Sequence, residues 1–244
     1  MTNHKYRTII PAICISAAVL GFTATALRAA DDNAKEQQRV TDSGNVVKEL
    51  INAPSGLPIG ILNKSECVII LPNLKKAGFI VGVSYGRGVM TCRGGKDLNG
   101  RWSTPTMMQS TGGSFGLQAG GQATDFVILV MNDKGARALL KGKLKLGADA
   151  SVAAGPVGRD AEAATNAAMS AEMLSYSRSR GVFAGVSLQG ATLGPDDGAN
   201  QNLYGKQVTA TEIVEGGAVS TPDSATELLD TLEKVSPKNR SAGK

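Results

Sequence analysis

Phe126-Val127-Ile128-Leu129-Val130-Met131 is an unbroken apolar hexamer, entered from residues 113–125, GSFGLQAGGQATD, a run of tiny and polar side chains. Six residues are too few for a buried helix, and the run is apolar on both faces of a strand, so the hexamer reads as a central strand covered on both faces. Working outward, Asn132 is placed to cap a short helix over 133–141, and Gly142 to close it. Upstream, glycines separate apolar segments at 67–71, 79–84, 89–92, 102–108 and 114–119, and further strand-like segments follow at 144–154, 173–178 and 182–193. The alanine-rich piece 161–171 favours helix on propensity, although its small residues also suit a tight strand or turn.

The segment GVFAGVSLQGAT at 181–192 resembles GSFGLQAGGQAT, and in both, glycine on one face of a strand permits close approach of another backbone. Thirty of 244 residues are glycine and only 4% are aromatic, so the core packs backbone against backbone. Residues 33–53 read as a helix with an Asn33-x-x-Glu36 capping pattern and Pro54 at its end. Pro222 introduces a second terminal helix, and the polar tail from Pro237 reads as disordered. The expected division is 1–30, 31–53, 54–216 and 217–244, with one main domain in the third segment. The fold class that follows is α+β: a single glycine-rich domain dominated by a curved or barrel-like antiparallel sheet with a few helices.

Lys5 and Arg7 precede an apolar stretch over 9–22 and a small-residue segment ending near Ala30, the layout of a secretory signal peptide. The apolar run is short against the ~20 residues of a membrane span. Cleavage between Leu27 and Asp31 removes two or three basic residues and leaves a net charge of +3 or +2, against +5 for the whole chain. The one histidine, His4, leaves as well, which withdraws imidazole from catalysis and metal binding. The expected location is the periplasm or the exterior, peripherally associated with membrane. Cys67 and Cys92, without a CxxC pattern, leave both a disulfide and two buried thiols open.

Two matches to G-x-S-x-G, centred on Ser84 and Ser114, sit in glycine-broken strand segments, whereas a nucleophile elbow needs a strand running into a helix and a histidine partner. No glycine cluster has the spacing of a phosphate-binding loop, and Asp149, Asp160 and Glu162 lack calcium-loop spacing. The expectation is a protein that is not an enzyme, with no cofactor and no metal site. Positive charge is more informative. Lys134, Arg137 and Lys141 share one stripe of the 133–141 helix opposite Ala136, Leu139 and Leu140, and Lys143 and Lys145 extend it. Lys75, Lys76, Arg87, Arg93, Lys96 and Arg101 form a second basic group with Trp102 alongside. These residues are the candidate surface for anionic phospholipid; few aromatics and a small net charge argue against nucleic acid.

Several long motifs occur in order: GFIVGVSYGRG from Gly78, Trp102-Ser103-x-Pro105, GSFGLQAGGQATD from Gly113, LGADASVAAGPVGR from Leu146, YSRSRGVFAGVSLQG from Tyr176, and Tyr204-Gly205. Together they resemble the SYLF family over about residues 54–206. The resemblance implies a lipid-binding module, with phosphoinositides the ligands of eukaryotic relatives and actin a partner of some fungal members. It implies no catalytic residues. Because this chain carries no SH3 or FYVE segment and reads as exported, actin is expected to be an unlikely partner, and anionic phospholipid the expected one. The alternative is a structural or protein-interaction module of the cell envelope.

Overall fold

The computed structural model describes residues 14–53, 56–78, 81–95, 97–115, 120–157, 170–179, 182–185 and 188–240. The start of the signal segment, Lys96, the alanine-rich stretch up to residue 169 and residues 241–244 lie outside them. In chain order the elements are α1 (Cys14–Asn52), α2 (Ile59–Leu62), β1 (Cys67–Gly78), β2 (Val81–Cys92), β3 (Thr106–Phe115) and β4 (Gly120–Val130). Then come α3 (Asp133–Lys141), β5 (Leu144–Lys145), β6 (Val152–Ala154), β7 (Met173–Ser179), β8 (Val182–Gly185) and β9 (Ala191–Pro195). Three helices end the chain: α4 (Asp197–Tyr204), α5 (Ala210–Glu215) and α6 (Thr226–Val235).

The described strands form one sheet in the order β5-β9-β3-β2-β1-β4-β7-β6, with β8 pairing on β7. It curls into a half-barrel, the α+β architecture expected from the sequence. All pairings are antiparallel except β6 on β7. β4 lies between β1 and β7 with residues 126–130 all buried, so the first five residues of the apolar hexamer are the covered central strand their composition required, and the half-buried Met131 follows its end.

Alternation along the strands sorts the core onto two faces. Val68, Ile70, Val89, Met107, Val127 and Leu129 face α1, α2, α4 and α6; Ile69, Leu71, Met90, Met108, Ile128 and Val130 face α3 and α5. Burying each such aliphatic side chain contributes about 1.5–3 kcal/mol. One glycine is obligatory in β2, since a Cβ on Gly88 would stand 1.8 Å from the Ile70 carbonyl oxygen. Pairing in β1 is interrupted between Leu71 and Leu74, where Pro72 has no N–H to donate and Asn73 adopts φ 52°, its N–H donating to Asp125 Oδ1 at 2.9 Å. Asn200, fully buried, ties α4 to β3 by accepting from the Met107 N–H at 2.7 Å.

Three features depart from the sequence reading. α1 does not start at Asn33 but runs back to Cys14, through the expected cleavage region. Asn33 therefore caps a different helix: its Nδ2 donates to the carbonyls of Asn202 and Leu203 at the end of α4, at 2.8 and 3.0 Å. The expected strand over 144–154 breaks at Gly147, φ 85°, into β5 and β6. Residues 237–240, read from composition as part of a disordered tail, are held together with Ser236 before them by contacts from distant elements. Arg93 donates to Ser236 O at 2.7 Å and to Ser236 Oγ at 2.6 Å, Asn239 Nδ2 donates to Glu66 Oε2 at 2.7 Å, and the Arg240 N–H donates to Asn63 O at 2.6 Å.

Cys67 and Cys92 stand opposite each other on β1 and β2, α-carbons 3.9 Å apart, and are joined as a disulfide. The residues that follow outward, Glu66 and Arg93, are also paired, the Arg93 N–H donating to Glu66 O at 2.8 Å.

Candidate functional site

Helical cover on the α1 face gives out toward the far ends of β1 to β4. Val89 is fully buried, Arg87 is half-buried beneath α1, Tyr85 is 49% exposed and Val83 70%, all on one face of β2 at alternate positions. Val83 and Tyr85 are the large apolar side chains exposed among the described residues. Register carries the row sideways: Ala123, Lys75, Tyr85, Thr111, Thr192 and Lys145 are successive partners across β4, β1, β2, β3, β9 and β5. Directly opposed residues share a face, so these six side chains form one band, with all but the half-buried Thr192 exposed. Lys75 and Lys145 are four strand spacings apart, about 19 Å along the sheet. Lys143 lies against Gly194, where a Cβ would meet its Cγ at 2.6 Å, and Gly194 in turn pairs with Gln109 in the row that holds Arg87.

A cleft of about 390 Å³ opens between this band and α1, lined by Lys35, Arg39 and Asp42 from the helix and Lys75, Tyr85 and Arg87 from the sheet. Its cations differ in how far they are satisfied. Arg87 Nη2 pairs with Asp196 at 2.7 Å and its Nη1 lies 3.5 Å from Glu36; Arg39 bonds Glu36 from one turn away. Glu36 is buried, so it serves as the shared carboxylate of two arginines and not as a capping-box residue. Burial, and then the charge of Arg87, hold the Arg39 guanidinium below its ordinary pKa. Lys35 is matched by Asp31 and Asp32. Lys75 has no ion pair among the described residues.

The structure divides the residues singled out by sequence. On α3, Asn132 caps the helix by accepting from the Gly135 N–H, and Ala136, Leu139 and Leu140 are buried as the stripe required. Lys134 is taken up by Glu172 at 2.9 Å and Arg137 by Asp133 at 2.7 Å. Lys141, Lys143 and Lys145 are exposed and carry no ion pair among the described residues. Lys76 stands on β1 opposite Ser84 and Gln122.

Trp102 is not part of the surface: it is 6% exposed, its Nε1 donates to Ser236 O at 3.0 Å and the Arg93 guanidinium stacks 3.9 Å over its ring. Arg93, counted in the second basic group, is fully buried, and burial pulls its pKa down to about 10. Arg101 pairs with Glu233. Ser84 lies mid-strand, its Oγ donating to Gly112 O at 3.3 Å, and Ser114 pairs with Gly82 in the same ladder, so neither stands on a strand-to-helix elbow. Val83, Tyr85, Lys35 and Arg39 went unnoticed in the sequence. The alternation Val83-Ser84-Tyr85-Gly86 was the available signal for the first two.

Comparison with known proteins places this chain among relatives. The family described as "Ysc84: Las17-binding protein actin regulator" matches residues 111–235. SH3 domain-containing protein PJ696.02 of Schizosaccharomyces pombe is 35% identical over 197 residues, covering 79% of this chain and 45% of the relative. Protein YSC84 of Saccharomyces cerevisiae is 33% identical over 209 residues, 84% of this chain and 44% of the relative. LAS seventeen-binding protein 3 of the same yeast is 31% identical over 209 residues, again 84% and 44%. The chain thus spans about half the length of the curated relatives it matches. No solved structure matches it. One expectation is overturned here: export and the lack of an SH3 segment gave no sound reason to hold actin-linked partners unlikely, because the matching family is described as an actin regulator and a relative is named for binding Las17.

Proposed function

This chain belongs to the Ysc84 family, and we propose that it is a non-catalytic module that docks on anionic phospholipid surfaces. The observation that carries the reading is the gathering of Lys75 and Lys145, remote in sequence, into one exposed register row, with Lys143 beside it. Each basic residue near an anionic leaflet contributes about 1 kcal/mol, and among the described residues these lysines have no carboxylate to give up first. Lys134 and Arg137 must break existing pairs to contribute, so they add less. Export fits the same reading: the segment before residue 31 has the charge and apolar layout of a signal peptide, and a disulfide belongs in an oxidising compartment.

Vesicle flotation of the purified chain tests it. Binding to vesicles containing phosphatidylglycerol, none to phosphatidylcholine alone, and a marked fall in binding as salt rises past ~0.15 M, where the Debye length is about 8 Å, are expected. Lys75→Glu/Lys145→Glu should abolish flotation while Lys134→Glu leaves most of it. Equal flotation of the double variant and wild type would sink the assignment of this band. A second reading is a protein-binding module of the actin machinery, favoured by the description of the family. Co-sedimentation with filamentous actin in the absence of lipid, unaffected by the Lys75→Glu/Lys145→Glu pair, would favour it.

A further inference from the structure

We propose that Val83 and Tyr85 enter the interfacial zone of the anionic bilayer, so that this open sheet face, and not α3, is the membrane-contacting side; the inference rests on the lipid reading above and names the surface and its mode of contact. Val83 and Tyr85 are neighbours on one face of β2, 70% and 49% exposed. Tyr85 is flanked in register by Lys75 and Thr111, and the partners of Val83 are Ala77 and Gly113. No side chain as large as the tyrosine ring stands on either side of it in its row, so ring and valine project from the sheet. A tyrosine with an aliphatic neighbour and lysines further along its row on both sides has the composition of an interfacial anchor: the ring sits at head-group depth, the aliphatic group goes deeper and the ammonium groups stay with phosphate.

Charge complementarity selects the occupant. Lys75 on one side of Tyr85 and Lys145 on the other lack carboxylate partners among the described residues, and an anionic leaflet supplies negative charge at both positions at once. The two contributions separate by salt. Screening removes the lysine part, whereas apolar insertion persists.

The test uses the full chain with vesicles of phosphatidylglycerol and phosphatidylcholine. Val83→Trp should shift its emission to the blue on binding and be quenched by brominated acyl chains, while wild type, whose single tryptophan is buried, is not quenched. Val83→Ser/Tyr85→Ser, which changes no charge, should weaken partitioning at least about tenfold, the factor that 1.4 kcal/mol corresponds to, and lose the salt-resistant remainder. Its urea midpoint should match wild type, which separates lost contact from lost fold. Wild-type flotation with unquenched Val83→Trp and an unimpaired Ser pair overturns insertion and leaves the lipid reading standing. No flotation of wild type on anionic vesicles overturns both. A concentration-dependent dimer dissolved by the Ser pair assigns the face to a second copy of the chain and also overturns insertion.

Discussion

Reducing the Cys67–Cys92 disulfide should cost the fold about 3.5 kcal/mol without dissolving it. The two residues are 25 apart in sequence and directly opposite on neighbouring strands. In the chain-entropy description, closing a loop of that size removes about 12 cal/mol/K from the unfolded chain, which is about 3.5 kcal/mol at room temperature. Both residues are fully buried, so replacing them would also remove packing; reduction of the intact protein isolates the cross-link. Urea unfolding with and without dithiothreitol reads the difference. The reduced protein should keep a cooperative transition at lower midpoint, because β1 remains paired on both sides with β2 and β4. A midpoint in Cys67→Ala/Cys92→Ala that does not respond to reductant is the control. In a thermal scan the same loss is about 7–14 °C for a chain of this size. Hydrogen exchange localises it: the Arg93 N–H, bonded to Glu66 O at 2.8 Å just beyond the bridge, should exchange faster on reduction. A difference under about 1 kcal/mol would refute the entropic argument.

Gly88→Ala should destabilise by about 3 kcal/mol or more, since its methyl would stand 1.8 Å from the Ile70 carbonyl oxygen and the strand has to move; an unchanged urea midpoint would show that β2 yields freely. Asn200→Ala should cost about 1–3 kcal/mol by leaving the buried Met107 N–H without its acceptor, measured the same way, and a loss below ~0.5 kcal/mol would mean that water replaces the amide. Glu172 is held below the usual carboxylate range by Lys134, with help from the Ser151 N–H. A depressed folded value means that this stability is fully present above the ordinary glutamate value of 4.5, which the unfolded chain keeps, and is lost as pH falls through the folded one. The urea midpoints of wild type and Glu172→Gln should therefore differ by a constant amount above about pH 5 and converge below. Midpoints that stay parallel down to pH 2 would count against the pairing.

The legible parts of the fold are those fixed by local chemistry. Continuous apolar residues at 126–130 predicted a strand covered on both sides, and Asn132 with Gly142 bracketed α3 to the residue. What stayed hidden depends on partners far along the chain. Asn33 looks like an N-cap with Glu36 three residues on, yet in mid-helix its amide serves the end of α4, and Glu36 serves Arg39 and Arg87. The segment from Pro237 is polar and carries no periodicity, so composition reads it as free. It is ordered by Arg93, Trp102 and Glu66, whose role as acceptors and donors for residues 236–240 has no local signature.

The candidate surface shows the same limit in its charges. A run of cations in sequence is a statement about neighbours along one helix, and a carboxylate from elsewhere cancels it without trace: Glu172, just before β7, takes Lys134. A row of side chains across a sheet is a statement about register, which shifts with every bulge and turn. Had the interruption in β1 between Leu71 and Leu74 been one residue shorter, Lys75 would face away from Tyr85, because a slip of one residue exchanges the faces of a strand. The pairing of Asn73 with Asp125 fixes that interruption, and Arg178 fixes Asp125 in turn at 2.7 Å. The chemistry of the exposed band is therefore set in part by the buried Asp125 and the half-buried Arg178, and in vesicle flotation Asp125→Ala should lose as much binding as Lys75→Glu.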